Sequence, residues 1–123
     1  EYKNTISSIV KPIITKENIF FITKNNLLIC FDIVEKKVVY SIDISQMVAE
    51  YYETKKKSIN IKSAAILNND LYIFLKNSYF IQFNVLGKIE DIHKFKSKIN
   101  SDPIFVNDSI MYLDKKNKLI IVN

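Results

Sequence analysis

The sequence predicts an all-β fold of antiparallel four-stranded meanders packed face to face, interrupted by one short helix. Three observations predict it. Residues 12–31, 64–83 and 103–122 align with one another without gaps. Their apolar runs are rich in β-branched and aromatic residues and are separated by polar turns at hairpin spacing. Those runs are apolar at consecutive positions rather than alternating ones, so each sheet is expected to be covered on both faces.

In this register Ile19-Phe20-Phe21-Ile22 meets Leu71-Tyr72-Ile73-Phe74 and Ile110-Met111-Tyr112-Leu113, while Leu28-Ile29 meets Phe80-Ile81 and Leu119-Ile120. Asn18, Asp70 and Ser109 precede the first run. Asn25-Asn26, Asn77-Ser78 and Lys116-Asn117 precede the second, as turn-forming residues should. Each unit therefore reads as a strand around Ile13, Ala65 or Ile104, then a turn, a second strand, a turn and a third strand. The first two units go on to a fourth strand, through Glu35-Lys36-Lys37 to residues 38–42 and through Gly87-Lys88 to residues 89–95.

Four-stranded units stacked around an axis are the blades of a β-propeller, the arrangement that explains both the repeat and the two-sided apolar strands. A sandwich would account for the strand number but leaves a polar face on each sheet. The chain holds about two and a half to three blades, with units at about 11–44, 63–95 and 102–123 and a helical insertion at about 45–57. Equivalent positions are offset by 52 residues and then by 39, and the excess falls where the helix-forming stretch lies. Ser45 is the expected N-cap, and Lys55, Lys56 and Lys57 stand where the helix dipole favours cations. Met47, Val48, Tyr51 and Tyr52 recur at helical spacing and are expected to form the face packed on the sheets, the alternative being a partner-binding face.

Closed propellers need roughly four to eight blades. Two units and a third that stops after its third strand cannot close a ring, so the chain is expected either to be a piece of a larger propeller or to associate with copies of itself to complete one. Residues 5–10 are read as a fourth strand, belonging to a preceding blade or completing the last one. Of the 123 residues, 48% are hydrophobic, enough for a core. All 18 basic residues are lysine, set against 13 acidic residues for a net charge of +5. A chain without arginine lacks the guanidinium fork on which sequence-specific nucleic-acid readers rely, so no nucleic-acid partner is expected. The apolar runs are too short to span a bilayer as helices, and no transmembrane segment is expected.

No catalytic constellation emerges, and the chain is expected not to be an enzyme. His93 is the single histidine and has no nucleophile motif near it. Cys30, the single cysteine, reads as a buried, inert thiol. Asn68-Asn69-Asp70 and Asn107-Asp108 offer oxygens but occupy the same turn of the repeat, so they read as turn formers rather than calcium ligands. The meander places turns 2–3 and the connections between blades on one side, which would gather Lys24, Lys76, Lys115, Lys116 and Lys55 to Lys57 into a basic docking face for an acidic partner or an anionic headgroup.

From Asn25 to Tyr40 the sequence resembles the PQQ-like propeller repeat: Asp32 takes the place of the repeat's aspartate, Lys37-Val38 that of its lysine-valine pair, and Tyr40 that of the tryptophan that docks neighbouring blades. Asn84-Val85-Leu86-Gly87-Lys88-Ile89 is a shorter second copy. Among proteins with this repeat the chain looks most like BamB, the lipoprotein propeller of the outer-membrane β-barrel assembly machinery. That resemblance implies a non-enzymatic, periplasmic scaffold that binds protein partners. Quinoprotein dehydrogenases share the repeat and add calcium, a catalytic aspartate and PQQ, so the alternative is the blade scaffold of such an enzyme, or of a sensor ectodomain, whose site lies outside this chain. No cofactor is expected within it.

Overall fold

The computed structural model describes residues 10–122. The strands are β1 (Ile13–Ile14), β2 (Asn18–Ile22), β3 (Leu27–Asp32), β4 (Lys37–Asp43), β5 (Ile61–Leu67), β6 (Asp70–Leu75), β7 (Tyr79–Phe83), β8 (Ile89–Lys94), β9 (Ile104–Val106), β10 (Ser109–Leu113) and β11 (Leu119–Val122), with helix α1 (Ile44–Tyr51) between β4 and β5. They form three antiparallel meanders: β1-β2-β3-β4, β5-β6-β7-β8 and β9-β10-β11. Of the strand expected within residues 5–10, only Val10 lies among the described residues.

Turn chemistry explains how a chain with one glycine builds these hairpins. Asn26, Asn68, Asn69, Asn107 and Asn117 all take left-handed backbone conformations, with φ between 51° and 66°. Asparagine tolerates that region because its short side chain hydrogen-bonds locally. The outer hairpins of the first two sheets repeat in detail. Asp32 Oδ1 accepts from the N–H groups of Val34 and Glu35, both at 2.8 Å. Its counterpart Asn84 accepts from Leu86 and Lys88 at 3.0 and 3.1 Å. Both hairpins also carry a register shift at the same repeat position, between Cys30 and Phe31 and between Gln82 and Phe83. Asp32 is thus a turn former.

Two cores fill the seams between the sheets. Phe20, Ile22, Leu28 and Cys30 of the first sheet pack with Leu71, Ile73, Ile81 and Phe83 of the second. Phe74 and Phe80, on the other face of the second sheet, pack with Ile110 and Tyr112 of the third and with Phe95 and Ile99 of the connection. The middle sheet is therefore covered on both faces, as the consecutive apolar positions predicted. The third sheet departs from that expectation: Ile104, Leu119 and Ile121 on its outward face are 58%, 61% and 52% exposed. Its sequence keeps the two-sided pattern, while its outward face meets solvent.

Tyr40 links the first two sheets. A Cβ placed on Gly87 would sit 3.1 Å from its ring, so β4 of one sheet rests on the β7–β8 turn of the next, in the position the resemblance gave to a docking tryptophan.

The helix begins one residue earlier than Ser45 and is capped differently. Asp43, the last residue of β4, is the N-cap and accepts from the N–H of Gln46 at 3.1 Å; Ser45 is buried within the first turn. Strand runs into helix without a loop, so the capping carboxylate belongs to both elements. Lys56 ion-pairs with Asp43 at the start of the helix instead of the C-terminal carbonyls. That ammonium and the Gln46 N–H hold the Asp43 carboxyl below its ordinary value of 3.8.

At the other end Glu53 stands in a left-handed conformation at φ 54°. Its N–H bonds the carbonyl of Glu50, and that of Thr54 bonds the carbonyl of Ala49 at 2.9 Å. This is the Schellman closure, which usually places glycine where Glu53 stands. Glu53→Gly is therefore expected to raise stability by about 0.5–1 kcal/mol, the left-handed penalty exceeding glycine's entropic cost. A lowered urea midpoint would show that Glu53 carries a contact worth more than its strain.

Candidate functional site

Hydrogen bonds tie five turns and connections in two groups on one side of the stack. Asn26 donates its side-chain N–H to the carbonyl of Ile59 at 3.1 Å, and the Ile44 N–H bonds the carbonyl of Asn26 at 2.9 Å. The Lys76 N–H bonds the carbonyl of Asn60, and the Lys115 N–H that of Lys98. Lys24 in the β2–β3 turn, Lys76 in β6–β7, Lys115 and Lys116 in β10–β11, and Lys55 and Lys57 in the α1–β5 connection are all exposed on this side. Lys56 belongs to the same connection, but its ammonium is committed to Asp43.

A groove of about 430 Å³ opens between α1 and the middle sheet on this side. Its floor is apolar, formed by Val48 and Ala49 of the helix with Leu75, Ile81 and Ile92 of the sheet. Tyr52, Tyr79, Lys55 and Lys57 stand around it, and no carboxylate lines it. Lys94 Nζ lies 5.7 Å from the centre of the Tyr79 ring. Burial, with Tyr79, Tyr51 and Asp91 nearby, pushes the Tyr52 hydroxyl above its ordinary pKa, so it stays a neutral donor.

The helix face differs from the one the spacing predicted. Ile44, Ser45 and Ala49 are buried, and Met47 and Val48 pack against the first core. Tyr51 and Tyr52 are 45% and 47% exposed, with their rings edge to face at 5.2 Å. Starting the helical period at Ile44 rather than Ser45 would have found the buried face. Tyr79, Leu75, Ile81 and Ile92 carry no local signal for the groove, because their strands meet α1 only in the folded stack.

The remaining candidates fall into structural places. His93 is exposed on β8, with its ring 5.2 Å from Phe80. Cys30 is buried; burial pushes its thiol above its ordinary pKa, opposed by a hydrogen bond with Tyr40. A thiol so protonated is a weak nucleophile. Asn68 and Asn69 form the β5–β6 turn with φ of 51° and 66°, and Asp70 accepts from the Gln82 side chain at 2.7 Å. The described residues hold no group of three or more His, Cys, Asp or Glu side chains that could bind a metal ion. Nor is any described helix long and apolar enough to cross a membrane.

No protein-family model and no curated protein matches the sequence. Solved structures are similar in fold. BamB from Moraxella catarrhalis superposes with a TM-score of 0.66 over 94% of this chain and 32% of its own, at 9% identity. The quinohemoprotein alcohol dehydrogenase of Comamonas testosteroni superposes with a TM-score of 0.57 over 88% of this chain and 17% of its own, at 11% identity. The computationally designed Ika4 protein gives 0.58 over 90% of this chain and 62% of its own, at 12% identity. The chain thus spans about a third of the BamB chain (32%). At these identities the likeness shows architecture: the three meanders are stacked sheets of a β-propeller, similar in fold to BamB and to the quinohemoprotein alcohol dehydrogenases.

Proposed function

We propose that this chain is a non-enzymatic protein-interaction scaffold, a piece of a PQQ-like propeller that works as BamB-type propellers do, in the periplasm and in association with the outer membrane. The observation that carries the reading is the exposed apolar groove flanked by lysine and tyrosine on the side where the sheets are joined. Concave apolar surfaces with a few polar groups at the edge are the usual form of a recognition site. The test is chemical cross-linking of the tagged chain in an envelope extract of its host, with the cross-linked lysines mapped by mass spectrometry. Reproducible links from Lys55, Lys57 or Lys76 to one envelope protein are expected. The absence of any reproducible protein link would overturn the scaffold reading in favour of the blade scaffold of an enzyme whose site lies outside this chain.

A second reading, association of copies, is favoured by one specific observation. Met111, Leu113 and Leu119 on the outward face of the third sheet occupy the repeat positions of Tyr72, Phe74 and Phe80, which receive that sheet. Ile19, Phe21 and Ile29 on the outward face of the first sheet occupy the positions of Leu71, Ile73 and Ile81. The two ends are therefore complementary, and a head-to-tail contact would extend the stack until it closes. Light scattering should then give a discrete oligomer; a monomer at high concentration rules this reading out.

A further inference from the structure

We infer that the groove between α1 and the middle sheet is the docking site for an acidic segment of a partner protein that inserts one large apolar side chain. This inference rests on the interaction reading above and specifies its site and chemistry. The floor of Val48, Leu75, Ile81 and Ile92 offers an anchor only dispersion and desolvation. A volume of about 430 Å³ lies in the range of ligand pockets and accommodates one aromatic or long aliphatic side chain with its flanking main chain.

Charge selects the flanks. Lys55 and Lys57 line the groove with no carboxylate among the lining residues, and Lys24 and Lys76 stand in exposed turns on the same side. An apolar anchor in the floor brings its neighbours in the peptide against those ammonium groups. Glutamate or aspartate there gains attraction, and lysine or arginine is repelled. The net charge of +5 adds long-range steering of the same sign. Tyr52 and Tyr79 supply the amphipathic rings typical of such interfaces.

The wall is also pre-shaped. The Schellman closure turns the chain back after Tyr52, and the Lys56–Asp43 pair fastens the connection to the start of the helix. Binding then has less loop to order.

The test is fluorescence anisotropy of the 123-residue chain with a labelled dodecapeptide carrying glutamates on both sides of a central tryptophan. Saturable binding is expected, weakened at least tenfold when every glutamate becomes glutamine, when the tryptophan becomes alanine, or in the Lys55→Glu/Lys57→Glu variant. Both lysines are exposed, so that variant should keep the parent's circular dichroism. Tyr52→Ala offers a second, uncharged probe of the same wall and should weaken binding several-fold. Absence of binding, equal affinity for the glutamine peptide, or an unchanged charge-reversal variant would overturn the inference. Displacement of the peptide by phosphatidylglycerol vesicles, with binding of those vesicles by the chain, would overturn it in favour of a membrane surface. If cross-links to an envelope partner survive Lys55→Glu/Lys57→Glu, the groove is wrong and the scaffold reading stands. If no protein is cross-linked at all, the scaffold reading itself falls.

Discussion

Phe74→Ala is expected to cost about 3–5 kcal/mol of folding stability, while Leu113→Ala, at the same position of the repeat, is expected to cost under about 1 kcal/mol. The two residues align in sequence, and both point away from the preceding sheet. What differs is the cover. Phe74 is 1% exposed and meets Phe80, Phe95 and Phe105 at ring distances of 5.9, 6.2 and 6.2 Å. Leu113 is 39% exposed. Truncating Phe74 opens a cavity in a seam held from both sides, and its neighbours cannot close it without moving the third sheet. Truncating Leu113, on a face open to solvent, leaves a dent that water fills rather than an enclosed cavity. Urea unfolding at low micromolar concentration, with equal m-values, measures both. Comparable losses at the two sites would contradict a third sheet whose outward face is open.

That contrast marks where sequence and structure part. The repeat was legible because no insertion falls within a unit and the same positions carry the apolar runs three times. Turns were legible because asparagine and aspartate stand at fixed places within it. The pattern of consecutive apolar residues encodes what each sheet is built to meet, not what lies beside it. It therefore describes the middle sheet correctly and overstates the cover of the third. The inserted helix was legible from the irregular spacing, but not its cap: Asp43 looks like the end of a strand, and only the direct passage of β4 into α1 makes it an N-cap. The lysine side was an expectation from meander geometry alone; its lysines are exposed, and exposure by itself assigns them no partner. The partnership of Lys56 with Asp43 and the groove itself were hidden, because they arise from pairs of elements brought together by stacking.

Gly87→Ala tests the joint between the first two sheets, with an expected loss of about 2–4 kcal/mol from two sources. One is backbone strain: Gly87 holds φ at +79°, where an alanine pays the left-handed penalty. The other is steric, since a Cβ would lie 3.1 Å from two atoms of the Tyr40 ring. The ring is half-buried against the first core and hydrogen-bonded to buried Cys30, so it has little room to withdraw. Two further variants separate the sources. Gly87→Asn tolerates the left-handed backbone but still brings a Cβ, and should retain the steric part of the loss. In a Tyr40→Ala background the Gly87→Ala penalty should fall by about 1 kcal/mol or more, leaving the backbone strain. A penalty identical in both backgrounds would mean that Tyr40 does not bear on the turn of the next sheet. Tyr40 would then have no part in joining the two sheets, which would be held by their apolar seam alone.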